Sequence, residues 1–306
     1  MSGAVEVKDF TKIYNGITAV DSLDLEVKRG EVFGFLGPNG AGKTTTIKAM
    51  MGLLEPTDGE IIIGDELVNS STGISSTNVG YLPENIDLWD NLKGIETLKF
   101  VCELKGRDEG EAFELLSLVG LEEAGDRKVK EYSKGMLRRL AIAQSLIGDP
   151  DLLILDEPSS GLDPSGTAMV KDIIRDHVSD GGTVFLSSHI LPMVESVADR
   201  VGILFKGRLR ALDTLEDLKE DLQIPTKIQF VLSDDHKLIE EDLKENKTVK
   251  SFRGDHNLLT VTCNRQDKKA VLDLIEDLGA EIEDFSVREG SLEDVYLSFS
   301  NEGDER

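Results

Sequence analysis

At 306 residues, 39% hydrophobic and 30% charged, the chain has the composition of a globular protein long enough for a sizeable core and two domains. Its formal net charge of −25 opposes a nucleic-acid or anionic-lipid surface, which requires clustered basic side chains, and favours solubility or a salt-rich cytoplasm. No apolar run approaches the ~18 residues of a membrane span, and MSGAVEVKDF lacks the basic start and apolar core of a signal peptide, so a cytosolic chain is expected.

In chain order, residues 4–8 (AVEVK) and 23–27 (LDLEV) alternate apolar and polar residues, as half-buried strands do. Tyr14 lies between them. An aromatic side chain ahead of a phosphate loop either stacks on an adenine ring or packs at a strand end, and its position alone leaves both readings open. Residues 31–36 (EVFGFL) read as a buried strand, residues 45–52 as a helix, and between them stands GPNGAGKT. Gly37, Gly42, Lys43 and Thr44 occupy the positions of a phosphate-binding loop around Pro38, Asn39, Gly40 and Ala41. The glycines let successive backbone N–H groups turn inward around a polyphosphate, and the helix that follows points its positive end at it. Lys43 brings a compact charge to the β/γ-phosphates and the Thr44 hydroxyl is a Mg²⁺ ligand, so the loop is expected to bind a nucleoside triphosphate.

Residues 55–60 form a turn and 61–64 a short strand. The strand 79–85 ends at Pro83, which places Glu84 at the carboxyl edge where parallel α/β sheets bind ligands. Two amphipathic helices share residues 94–119 with a break at 105–110, and a third, capped by Ser133, runs over 133–147 carrying Arg138 and Arg139. DLLILDEP (151–158) is an apolar strand whose ionised residues, Asp156 and Glu157, belong at its carboxyl end. A helix (166–178), a strand (183–188), His189, a helix (191–198), strands at 201–205 and 208–211, and a helix from about 214 complete this part. After IPT (224–226) the order is strand (227–232), helix (236–244), strands (249–253 and 257–262), helix (266–277) and strand (281–286), then a last helix (291–298) and a disordered tail (299–306). His177, His236 and His256 lack metal-ligand spacing and read as solvated surface residues. Met50, Met51 and Met193 read as core packing rather than metal handling. Cys102 and Cys263, without CxxC spacing, read as reduced, packed thiols.

Four further pieces share one order and spacing: YLPE (81–84), YSKGM (132–136) about 20 residues ahead of LLILDEP (152–158), SGLD (160–163) and SSH (187–189). With GPNGAGKT they resemble the ATP-binding subunit of ATP-binding-cassette (ABC) transporters over residues 4–220, and the extension ending in SLEDVYL (291–297) resembles the ABC-2-type exporter branch. The resemblance implies an α/β P-loop NTPase cassette over 1–222, with a mixed β core and a helical subdomain at about 86–148. A linker (223–225) and a small ferredoxin-like α+β domain with a final helix (226–298) would follow.

By the same resemblance, Tyr14 stacks on adenine, and Lys43, Thr44 and Thr45 meet the β/γ-phosphates, Mg²⁺ and the α-phosphate. Asp156 holds the Mg²⁺ shell, Glu157 is the general base for the attacking water, and His189 contacts the γ-phosphate and orients that water. Ser133 and Gly135 contact the γ-phosphate of ATP bound to a second copy, and Asp163 lies in the loop that communicates across that interface. Three positions depart from the general pattern: Glu84 replaces the usual glutamine of the metal-sensing loop, Lys134 a glycine and Met136 a glutamine. The first adds a negative charge beside the phosphates.

The function implied is an ATPase that dimerises around ATP and Mg²⁺, makes no nucleic-acid contact, and energises a separate integral-membrane ABC-2-type permease from the inner face of the cell membrane. A drug, an ion, or copper-site maturation of nitrous-oxide reductase are the candidate processes. The alternative is a soluble ABC ATPase acting on ribosomes or chromosomes, against which stand the single cassette, the lack of sustained heptads and the acidity. A catalytically silent regulator is opposed by the presence of Lys43, Asp156, Glu157 and His189. Trp89 is expected either to anchor the permease or to pack within the helical subdomain.

Overall fold

The computed structural model describes residues 3–68, 78–233 and 239–301, so His236, the start of the helix expected at 236–244 and the end of the expected tail (302–306) lie outside the described residues. The chain divides into two compact units, Met1–Thr214 and Leu215–Arg306.

The first unit opens with β1 (Val5–Tyr14) and β2 (Ile17–Val27), a hairpin closed by Asn15 and Gly16 at φ 48° and 83°. Two central residues of positive φ make a tight turn whose twist matches that of the strands, and Asn-Gly is its sequence mark. The alternation at 4–8 and 23–27 therefore covers only the open end of a longer ribbon. There follow β3 (Val32–Leu36), α1 (Lys43–Met50), β4 (Asp58–Ile63), β5 (Glu66–Leu67) and β6 (Val79–Leu82). Next come α2 (Gly94–Leu104), α3 (Gly110–Leu118), α4 (Lys134–Leu146), β7 (Leu152–Asp156), α5 (Pro164–Ser179) and β8 (Thr183–Ser188). The unit closes with α6 (Leu191–Glu195), β9 (Arg200–Phe205) and β10 (Arg208–Asp213).

Two sheets result, an antiparallel one in the order β2-β1-β4-β5 and a six-stranded one in the order β10-β9-β3-β8-β7-β6. In the larger sheet all neighbours run parallel except β9 and β10. Strands β3, β7 and β8 are buried at every residue, which explains their unbroken apolar runs. Helix α1 packs against β2, β4 and β7, and one apolar cluster that includes Val5, Phe10, Phe33, Phe35, Ile47, Met50, Ile154 and Phe185 joins both sheets to it. The carboxyl ends of β3, β6, β7 and β8 lead into the phosphate loop, the Glu84 segment, Asp156–Glu157 and His189 respectively.

The second unit contains α7 (Leu215–Asp221), β11 (Thr226–Leu232), α8 (Glu240–Glu245), β12 (Val249–Asp255), β13 (Leu258–Cys263), α9 (Lys268–Asp277), β14 (Ile282–Arg288) and α10 (Leu292–Asn301). Its sheet is antiparallel in the order β12-β13-β11-β14, with a core built from Ile228, Phe230, Leu259, Val261, Val271 and Ile275. Two differences from the sequence reading stand out. Helix α7, placed there with the cassette, falls in this unit and packs on α10, and a side chain at Gly290 would meet Ile224 at 2.2 Å. Helix α10 continues to Asn301, past the expected start of the tail.

Cys102 and Cys263 are free and buried, and Met50 and Met193 lie in the core. His177 is not solvated: it packs on Gly182, its Nε2 has no hydrogen-bond partner, and burial pushes its pKa down. His256 is exposed beside Asp255. Among the described residues no helix is long and apolar enough to cross a membrane.

Candidate nucleotide site

The phosphate loop leaves β3 and curls back over its own carbonyls. Gly37 is obligatory there, because a Cβ would lie 2.4 Å from Leu204 O; at Gly42, φ is 112° and a Cβ would lie 2.7 Å from Ala19 O. Gly40 turns the exposed tip at φ 80°, beside Asn39, while Ala41 is buried and its N–H donates to Pro38 O at 3.1 Å. Lys43 is the first residue of α1 and only 7% exposed, and its Nζ donates to Gly37 O at 2.6 Å and Pro38 O at 3.3 Å. Burial lowers its pKa; Glu157, Asp156 and Glu84, in that order, oppose the shift. Three carboxylates thus face one buried ammonium.

Tyr14, Ala19, Pro38, Asn39, Gly40, Gly42, Lys43, Thr44, Thr45, Glu84, Asp156 and Glu157 line a single cleft of about 480 Å³. The Asn-Gly hairpin delivers Tyr14 to its rim as the last residue of β1, 42% exposed and with Lys12 Nζ 5.3 Å from the ring centroid. A half-exposed ring at the rim of a cleft leaves one face open for stacking.

Asp156 ends β7 at 1% exposure. Its Oδ1 accepts from Ser187 Oγ at 2.6 Å, whereas Oδ2, equally buried, has no hydrogen-bond partner. Burial raises the Asp156 pKa, the Ser187 bond opposes this, and Glu84 and Glu157 add to it. A buried, unpartnered carboxylate oxygen in the same cleft as the Thr44 hydroxyl and the Glu84 carboxylate is an all-oxygen donor set that fits Mg²⁺.

Glu157, 6% exposed, adopts φ 54° and is held there by its N–H, which donates to Ser187 O at 2.9 Å. Its Oε2 lies 2.8 Å from His189 Nδ1 and 3.4 Å from Ser188 Oγ. Ser188 Oγ also accepts from Ile190 N at 3.0 Å, shaping the turn that presents the half-exposed His189 ring. A buried carboxylate paired with an exposed imidazole can take and pass on a proton at the mouth of the cleft.

The structure does not bring Ser133, Gly135 or Asp163 to this cleft. Ser133 caps α4, accepting from Met136 N at 3.3 Å, and is exposed; Gly135 is half-buried. Asp163 caps α5 through Gly166 N at 2.7 Å and lies 3.5 Å from Arg139 Nη2. Sequence reasoning gave no role to Ser187, Ser188, Arg138 or Arg139. Ser187 was discoverable only through sheet register, since it stands opposite Asp156 in the β7–β8 pair.

Residues 20–160 match the ABC transporter family. Among relatives, the chain is 34% identical to the uncharacterized ABC transporter ATP-binding protein YcbN of Bacillus subtilis, covering 98% of each chain. It is 35% identical to the daunorubicin/doxorubicin resistance ATP-binding protein DrrA of Streptomyces peucetius, covering 97% of this chain and 92% of that one. A solved ATP-binding subunit of an ABC transporter superposes with a TM-score of 0.66 at 32% identity, over 72% of this chain and 93% of its own. On these likenesses the chain belongs to the ABC transporter family, as an ATP-binding, ATP-hydrolysing subunit.

Proposed function

We propose that this subunit binds ATP·Mg²⁺ in the cleft, closes on a second copy of itself, and drives an ABC-2-type membrane permease in the direction of export. The observation that carries the reading is the convergence of Lys43, Asp156 and Glu157 on one cleft, with His189 paired to Glu157. Tyr14 would stack on the adenine; the loop amides, Lys43 and Thr45 would hold the phosphates; Thr44, Asp156 and Glu84 would hold a Mg²⁺, which would supply charge to offset the phosphates. Glu157 accepts a proton from the attacking water while His189 fixes that carboxylate and the water's line of approach. Ser133, Gly135 and Asp163, exposed or half-buried outside the cleft, serve the nucleotide of the partner copy, so each active site is complete only in the dimer.

The subunit sits at the inner face of the cell membrane through its permease. On the helical segment, Trp89 is 47% exposed and meets Phe100 edge-on at 5.1 Å, with Leu104 (69%) and Phe113 (58%) also exposed, a surface suited to an apolar partner. A relative named for daunorubicin and doxorubicin resistance supports export. The substrate path lies on the permease, and neither copper-site maturation nor a ribosomal target draws support from any feature of the cleft.

The test is a mild-detergent pull-down of tagged protein from native membranes, with Trp89→Ala as a second bait. A permease of roughly six spans recovered by the native chain and diminished with the folded variant is the expected result. Ribosomes or soluble partners alone would overturn the transporter coupling.

A further inference from the structure

Arg138 is a long cation in an unusual place. It lies in the second turn of α4 and is 3% exposed. Its Nη1 donates to Pro83 O at 3.1 Å and its Nη2 to Glu84 O at 2.8 Å, so one planar fork grips two consecutive carbonyls. Leu82, fully buried, pairs with Leu155 of β7, and β6, which ends there, is the outermost described strand of its sheet and packs on α4.

We propose that Arg138 is a positioning residue for ATP hydrolysis, tying the backbone of Pro83 and Glu84 to α4 and so holding the Glu84 carboxylate in register with the metal. The cation also offsets the charge that glutamate adds where glutamine is usual. The proposal rests on the reading of Glu84 as a metal-side residue.

The experiment compares Arg138→Lys, which keeps the charge and loses the fork, with Glu84→Ala and the double variant. Arg138→Lys is expected to lower kcat roughly tenfold, the scale of lost support behind a metal-site residue, with the KM for ATP within about twofold. In the nucleotide-free chain, amide hydrogen exchange should quicken at 80–82, the end of β6 that adjoins the tether, and stay unchanged at 43–50. In the Glu84→Ala background, Arg138→Lys should cost less than about a further twofold, because both act through one carboxylate. Unchanged exchange at 80–82, additive losses in the double variant, or faster exchange across the whole cassette would each overturn the proposal. Glu84→Ala without effect on hydrolysis or its Mg²⁺ dependence would remove the underlying reading as well; an effect of Glu84→Ala alone would remove only the tether.

Discussion

Asp156 and Glu157 show how neighbouring acids are given separate duties. Asp156 continues the strand and buries an oxygen that no donor among the described residues satisfies, whereas Glu157 turns into the left-handed region at φ 54° and meets His189. A non-glycine residue held at positive φ costs on the order of 1 kcal/mol or more, and such strain gathers where function overrides stability. The raised Asp156 pKa has a consequence for stability. Its folded value lies above the unfolded one, so folding is favoured while the group is protonated, and that stability is lost as pH rises through the ordinary carboxylate value toward the folded value. At neutral pH the ionised carboxylate is a net cost. Asp156→Asn keeps an acceptor for Ser187 and should therefore raise the melting temperature of the nucleotide-free chain at pH 7 by about 2–4 °C for each kcal/mol relieved, while abolishing hydrolysis. The gain should shrink as pH is lowered through the ordinary carboxylate range; a lower melting temperature than the native chain's at pH 7 would contradict it. The chemistry of these two acids was legible in LLILDEP because an apolar strand admits ionised residues only at its end. Ser187 was not, because nothing in SSH announces which residue of β7 will stand opposite it.

At the scale of elements, the sequence is read best where a local rule fixes the conformation. The phosphate loop, strand β8 at Thr183–Ser188 and the Ser133 cap of α4 follow from glycine spacing, an apolar run and a side-chain oxygen, all short-range effects. The β1–β2 hairpin was legible only in its Asn-Gly pair, because polar residues on its exposed faces blur the alternation in the middle of the ribbon. This hairpin matters because it carries Tyr14 to the cleft. Asn15→Val places a β-branched residue at φ 48°, which should cost about 1–2 kcal/mol and loosen the turn. ATP affinity should fall severalfold, read by nucleotide titration, with kcat at saturation close to native. Unchanged affinity in a chain of lowered melting temperature would show that the hairpin does not position the adenine contact.

For the whole molecule, the strand order of the second unit was legible from alternating segments, but its starting point was not. Helix α7 reads as a continuation of the cassette until its packing on α10 is seen, a long-range contact with no local mark. A chain ending at Thr214 retains both sheets, α1 and every cleft residue, so it should still hydrolyse ATP. We expect removal of 215–306 to weaken self-association or permease binding. A truncated chain indistinguishable from the native one in hydrolysis, association and permease capture would leave that unit without a part in the cycle.

Two copies each carrying a formal charge of −25 repel, so closure must come from the nucleotide and should strengthen as salt screens the repulsion. The most direct test is sedimentation of Glu157→Gln, which keeps the shape of the site and removes its base, with ATP and Mg²⁺ at several hundred millimolar salt. The account predicts a stable dimer that forms with ATP, does not form with ADP, and is lost when Lys43→Ala is added. A monomer under all these conditions would contradict it.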